Sequence, residues 1–262
     1  MGFLGWLVQK IPAKSVKRAV RYRAALSTLK CLHHQVVHVS RELAFAMYWT
    51  DEFDLDDFST KAMELCGACR NTLGNLLGLN AHKLHCCIKL FPKECDGKDI
   101  ATWVRSKPYD NRPKKSKLGD SHPIKNNSVW CALSGLNDGK TNWTRARVFC
   151  CNDLIKRDAE GIFFSSRKNW KKYYKSTLVL PLRVTHDSAH DEFVDLGYIT
   201  FDSPLVDAFA GMPDIYDYRE SPEKYRELCD SNPTFHLAAA MADMISMFLL
   251  EPLVRADVHS KD

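Results

Sequence analysis

Apolar positions in this chain follow two different periods. Between residues 13 and 49 they recur at alternating steps of three and four: Tyr22, Ala25, Leu29, Leu32, Val36, Val39, Leu43 and Ala46. That spacing predicts a long helix with a heptad seam, a stripe suited to pairing with another helix, either in a homodimer through Leu29, Leu32, Val36, Val39 and Leu43 or within the same chain. A second helical run is expected from Leu55 to Leu77, with Phe58, Ala62, Leu65, Cys66, Cys69, Leu73 and Leu76 on one face. Asp54 is its candidate N-cap and Gly78 its stop.

From residue 84 the period becomes two. Leu84, Cys86, Ile88 and Leu90 share one face of a predicted strand, and His85, Cys87, Lys89 and Phe91 share the other. A turn at "CDGKD" leads to a returning strand over 100–107, which makes a hairpin. Residues 108–127 are polar and broken by proline, and read as an exposed loop. A short helix is expected between Ser128 as cap and Gly139 as end, then a strand over 145–154 running into a turn.

The segment "YYKSTLVLPLRV" (173–184) alternates as a strand but contains Pro181, which cannot donate to a ladder. It is expected where no partner needs that N–H. Leu178, Leu180, Leu182 and Val184 form an apolar face, whereas Thr177, Val179, Pro181 and Arg183 form a mixed one. Residues 192–203 form its antiparallel neighbour, 204–233 are irregular with some helix, and a closing helix starts at Thr234 as candidate N-cap, with Pro252 near its end. Paired strands with terminal helices indicate an α+β fold, with an antiparallel sheet carrying helices on one face.

Composition narrows the picture only a little. Lysine and arginine total 37 against 32 acids, a net charge of +5, and 45% of residues are hydrophobic, as in globular chains. The excess is too small and scattered to signal nucleic-acid binding. The ten cysteines lie mostly inside apolar runs and read as reduced thiols of a cytoplasmic protein. Cys66 and Cys69 sit three apart on a helix, and His34 and His38 four apart, but neither pair has partners at metal-site spacing, so no metal is expected. The tail 1–12 has its positive charge after its apolar run, the wrong order for a signal peptide. Its residues 3–8 fit either peripheral membrane contact or packing against protein.

The ordered set "DFSTKAMELCGACRNTLGNLLGL", "LHCCIKLF", "VFCCNDL", "STLVLPLRV" and "DLGYITFDS" resembles a GAF domain over residues 54–251, with 252–262 a short C-terminal tail. The resemblance implies a central antiparallel sheet, terminal helices on one face and a ligand pocket on the other, roofed by the irregular middle. It also implies a non-catalytic, bacterial sensory module. Such a module binds a small, nucleotide-like ligand, dimerises through its N-terminal helix and signals to a separate effector protein. With the apolar strand faces against the helices, the mixed faces point to the pocket. Arg183 and Lys175 are then candidates for an anion, Asn152, Asp153 and Tyr198 for hydrogen bonds, and Trp170 and Tyr174 for stacking. Arg183 also reads as a solvated strand residue, and Asn152-Asp153 as a turn or helix cap.

The specialised signatures of that family are missing. The phosphodiesterase-type cyclic-nucleotide pattern is not matched, no Cys-His dipeptide offers bilin attachment, and no cofactor motif of the Walker or Rossmann kind occurs, so no cofactor is expected. Two other readings remain. One is a cysteine-dependent reductase of the free methionine sulfoxide type, using Cys150 or Cys151. The other is an interaction scaffold with a collapsed pocket.

Overall fold

A computed structural model describes residues 55–91, 98–107, 121–139, 143–187 and 192–259, together with Thr141 and part of the segment 19–41. Its centre is a six-stranded antiparallel sheet in the order β3-β2-β1-β6-β5-β4. The strands are β1 (His85–Leu90), β2 (Asp99–Arg105), β3 (Ser121–Pro123), β4 (Phe149–Cys151), β5 (Ser176–Asp187) and β6 (Glu192–Ser203). The α+β expectation and the β1–β2 and β5–β6 antiparallel pairs are therefore present.

Two long helices cover one face. Helix α1 (Leu55–Leu77) packs on β1 and β2, and the closing helix, Pro233–His259, packs on β5 and β6. Between them Phe58 stacks on Phe248 with centroids 4.7 Å apart, and its ring lies tilted against Trp103 of β2 at 5.1 Å. The alternation in β5 explains the arrangement: Leu178, Leu180 and Leu182 are buried on the helix side, opposite Thr177 and Val179. Residues 233–250 are long and apolar enough to cross a membrane, but 56% of that window is buried in this core.

Pro181 finds the place its chemistry requires. β4 pairs with β5 only at residues 177–179, so beyond Val179 one flank of β5 has no ladder partner among the described strands. Gly197 answers a different constraint. It stands opposite Leu90 in the ladder, and a Cβ built on it would lie 1.9 Å from the Lys89 carbonyl oxygen.

Several local boundaries differ from expectation. The polar stretch expected as loop contains edge strand β3 at its end, because Ser121, His122 and Pro123 pair with Asp99–Ala101. Helix α2 (Ser128–Ser134) is capped by Asn127, whose side chain accepts from the Val129 N–H, and ends at Gly135 in the left-handed conformation, four residues before Gly139. A further helix, α3 (Leu154–Ala159), begins where a turn was expected. After α4 (Pro222–Asp230), the closing helix α5 (Pro233–His259) is capped by Asn232, not Thr234, since the Asn232 side chain accepts from the Thr234 N–H. Pro252 lies inside this helix.

The described residues between 19 and 41 are helical. Leu32 and Val36 are buried in the chain's own core, and Leu29 packs partly against it. Two positions of the heptad seam are thus covered within the single chain. Val39, Leu43, the cap Asp54 and the tail 1–12 lie outside the described residues.

Candidate functional site

The sheet face opposite α1 and α5 carries a cavity of about 270 Å³. Its floor is built by alternation and register. Thr200 of β6 pairs with Val179 of β5 on one side and Cys87 of β1 on the other, while Lys89 pairs with Thr102 of β2. Thr102, Thr177, Val179 and Thr200 are all buried, so three hydroxyls and one apolar side chain form the base. The Thr177 hydroxyl donates to the Asp202 carboxylate at 2.8 Å, and the Cys87 thiol meets the Thr200 hydroxyl at 2.7 Å. These bonds supply buried hydroxyls with partners, as burial demands.

Trp130 of α2 and Tyr174 form aromatic walls. Trp130 stacks on Tyr198, with centroids 5.1 Å apart and planes at 19°, and Phe91 meets Tyr198 edge-on at 5.4 Å. Tyr174 is braced by Trp170, which is itself edge-on to Phe163 at 4.9 Å. The rim comes from loops. Asn127 donates through its side-chain amide to the Ser165 hydroxyl, and the Ser166 N–H donates to the Asn126 carbonyl, which joins the two segments above the sheet.

Charge around this cavity is uneven. Lys89, Arg105, His122 and Arg167 line it, whereas Asp202 is the only carboxylate in the lining among the described residues. The Lys89 ammonium donates to the Thr102 hydroxyl at 2.7 Å and sits 5.5 Å from the centre of the Trp130 ring. The Arg167 guanidinium lies over Tyr173 at 4.9 Å. Such a site can hold an anion by charge and hydrogen bonds, and a flat ring by contact with Trp130 or Tyr174.

The residues singled out from sequence separate into two groups. Tyr174 lines the cavity, with Trp170 directly behind it. Tyr198 lies beneath Trp130. Its hydroxyl bonds to Ser134 at 3.0 Å, and burial pushes its pKa up to about 12. The other four stand outside the lining. Arg183 pairs with its cross-strand neighbour Asp195 at 2.7 Å, and Arg145 reaches the same carboxylate. Lys175 is exposed. Asp153 caps α3 by accepting from the Lys156 N–H. Asn152 accepts from the Phe209 N–H and donates to the Met212 carbonyl, which fastens the 207–214 segment to β4.

Lys89, Arg105, His122, Trp130 and Arg167 were not candidates. Parity places Lys89 on the mixed face of β1, so it was within reach of a strand argument. His122 reaches the site from the three-residue edge strand β3, and Trp130 and Arg167 from a short helix and a loop, all too short or irregular for a period to show.

Cys150 and Cys151 are fully buried. Desolvation, with Asp214 nearby, raises the pKa of both thiols well above the ordinary range. That environment disfavours the thiolate a nucleophile needs. Cys66, Cys69 and Cys86 are buried too, and among the described residues no group of three His, Cys, Asp or Glu side chains is arranged to hold a metal ion.

No family model matches this chain, and no curated protein matches it. Among solved structures, the chromophore-binding domain of a bacteriophytochrome from R. palustris is similar at 11% identity and a TM-score of 0.37, over 83% of this chain and 62% of that one. A candidate transcriptional regulator from Rhodococcus sp. RHA1 is similar at 13% identity and a TM-score of 0.33, over 79% and 74% respectively.

Proposed function

We propose that this chain is a GAF-like sensory module whose cavity binds a small anionic molecule carrying a planar ring, a nucleotide or an aromatic acid. The observation that carries the reading is the lining itself: Lys89, Arg105, His122 and Arg167 converge on buried threonine hydroxyls and two aromatic walls, against one carboxylate among the described residues. The anionic group sits toward Lys89 and Arg167, and the ring toward Trp130 and Tyr174. The volume of about 270 Å³ is near the lower end of ordinary ligand sites, which suits a mononucleotide-sized molecule and not a large cofactor. Buried, protonated thiols at Cys150 and Cys151 favour binding over thiol chemistry.

In this reading the bound state is passed on through the N-terminal helix to a separate effector in the cytoplasm. The helix meets the domain at Leu32 and Val36, so movement of the core reaches it directly. A homodimer formed through this helix would rest on positions other than these two.

Native mass spectrometry of freshly purified protein tests the proposal, together with thermal shifts in a panel of mononucleotides and aromatic carboxylic acids. An anion that raises the melting temperature of the native chain is expected to lose at least about tenfold in affinity with Lys89→Ala and with Arg167→Glu, the loss of one charged contact. Absence of any retained molecule and of any shift across the panel would sink the sensor in favour of a scaffold with a closed site.

A further inference from the structure

A second recess lies elsewhere on the molecule, and its residues have no part in the cavity. It is formed where Thr141 and the segment 143–148, the 3₁₀ turn Ile215–Tyr218, α4 and the start of α5 meet. Its base is apolar and closed: Trp143, Val148, Ile215, Tyr225 and Cys229 are buried. The base is also held rigidly. The Tyr225 hydroxyl accepts from the Cys150 N–H at 3.2 Å, which ties α4 to β4, and Trp143 meets Tyr216 edge-on at 5.4 Å. The open volume is about 40 Å³, a few water-sized spaces, which is the scale of one anchoring side chain and not of a metabolite.

The rim is strongly basic. Arg145, Arg147, Arg219 and Arg226 surround the opening and are exposed, while Asp230 is the only acid in the lining among the described residues. Arg145 is engaged with Asp195. Arg147, Arg219 and Arg226 have no ion pair or side-chain hydrogen bond among the described residues. Three unpaired arginines thus stand round an apolar hole that has Asp230 as its one acid among the described residues. An aromatic or aliphatic anchor in a closed pocket, ringed by groups that pair with carboxylates, is the chemistry of a short peptide docking site. A nucleic acid would instead require a continuous basic track with stacking platforms along it.

We propose that this recess docks an acidic segment of a partner protein, with one apolar side chain in the hole and flanking carboxylates on Arg147, Arg219 and Arg226. Fluorescence anisotropy on the full chain tests it. The probes are fluorescein-labelled peptides with a central leucine flanked by glutamates and aspartates, the same peptide with a central glycine, the same peptide with lysines for acids, and a single-stranded RNA.

The acidic leucine peptide is expected to bind, and to weaken as salt rises. It should bind at least about tenfold less well to Arg147→Glu with Arg226→Glu, and detectably less well with the central glycine. Both substitutions are at exposed positions, and an unchanged melting temperature confirms that the fold is intact. Failure of the acidic peptide to bind, equal binding of the lysine peptide, unchanged binding by the double variant, or tighter binding of the RNA would each overturn the proposal. The Lys89→Ala variant separates the two sites. Loss of peptide binding there places the probe in the cavity and refutes docking at the recess, and retained binding supports it.

Discussion

Asn152 shows how a residue with ligand-binding chemistry is used inside the protein. Its side-chain oxygen accepts from the Phe209 N–H at 3.1 Å and its amide nitrogen donates to the Met212 carbonyl at 3.3 Å. Asn152→Ala removes both and strands a donor beside the fully buried Phe209. Its expected cost is about 2–3 kcal/mol, read from urea unfolding, with little effect on binding in the cavity. Gly197 is a stricter case. Gly197→Ala would force a methyl into the Lys89 carbonyl of the neighbouring strand, so about 4 kcal/mol or more is expected, seen as loss of soluble folded protein.

At the scale of the element, the mixed faces of the strands are where sequence parity and structure meet. Leu178, Leu180 and Leu182 alternate with Thr177 and Val179, and the two sets lie on the two sides of β5 as the period of two requires. Parity fixes the side but not the distance along the strand. Arg183 comes after a register shift and faces Asp195, whereas Lys89, on the parity-equivalent face of β1, reaches the cavity. The N-terminal helix illustrates the same limit: a heptad stripe shows that a helix seeks a partner, not which one. Leu32→Asp with Val36→Asp is expected to lower stability by at least about 3 kcal/mol, because charge enters the chain's own core. Measuring mass in solution on the same sample reports whether any oligomer depends on this helix.

At the scale of the whole molecule, buried thiols and phenols dominate the response to alkali. Desolvation raises the pKa of Cys69, Cys86, Cys150 and Cys151, takes Cys131 to about 11 and Cys229 to about 12, and raises Tyr225 as well. Each ionises more easily in the unfolded chain than in the native one. The stability they support is therefore complete below the ordinary thiol range, about pH 8.5, and is lost as pH rises from there toward the native values. Melting temperature is expected to fall steeply above about pH 8.5, and alkylation of Cys150 and Cys151 in the native chain to stay slow from about pH 7 to about pH 9. A flat melting profile, or rapid alkylation of either thiol, would contradict this account.

Sequence alone determined what depends on neighbours along the chain. The two periods, with the turn and cap residues between them, placed α1, β1, β2, β5, β6 and the closing helix, and the proline in β5 indicated a flank without a ladder partner. Tyr174 and Trp170 were legible as aromatic groups near one strand's entry. What only the tertiary structure decided is which polar groups satisfy the protein and which face a cavity. Asn152, Asp153 and Arg183 are consumed by a loop, a helix end and a cross-strand pair, because a buried or half-buried polar group takes the partner that folding brings nearest. Lys89, Arg105, His122, Trp130 and Arg167 converge from two strands, a short edge strand, a seven-residue helix and a loop. No local period links those positions; sheet register and loop closure bring them together.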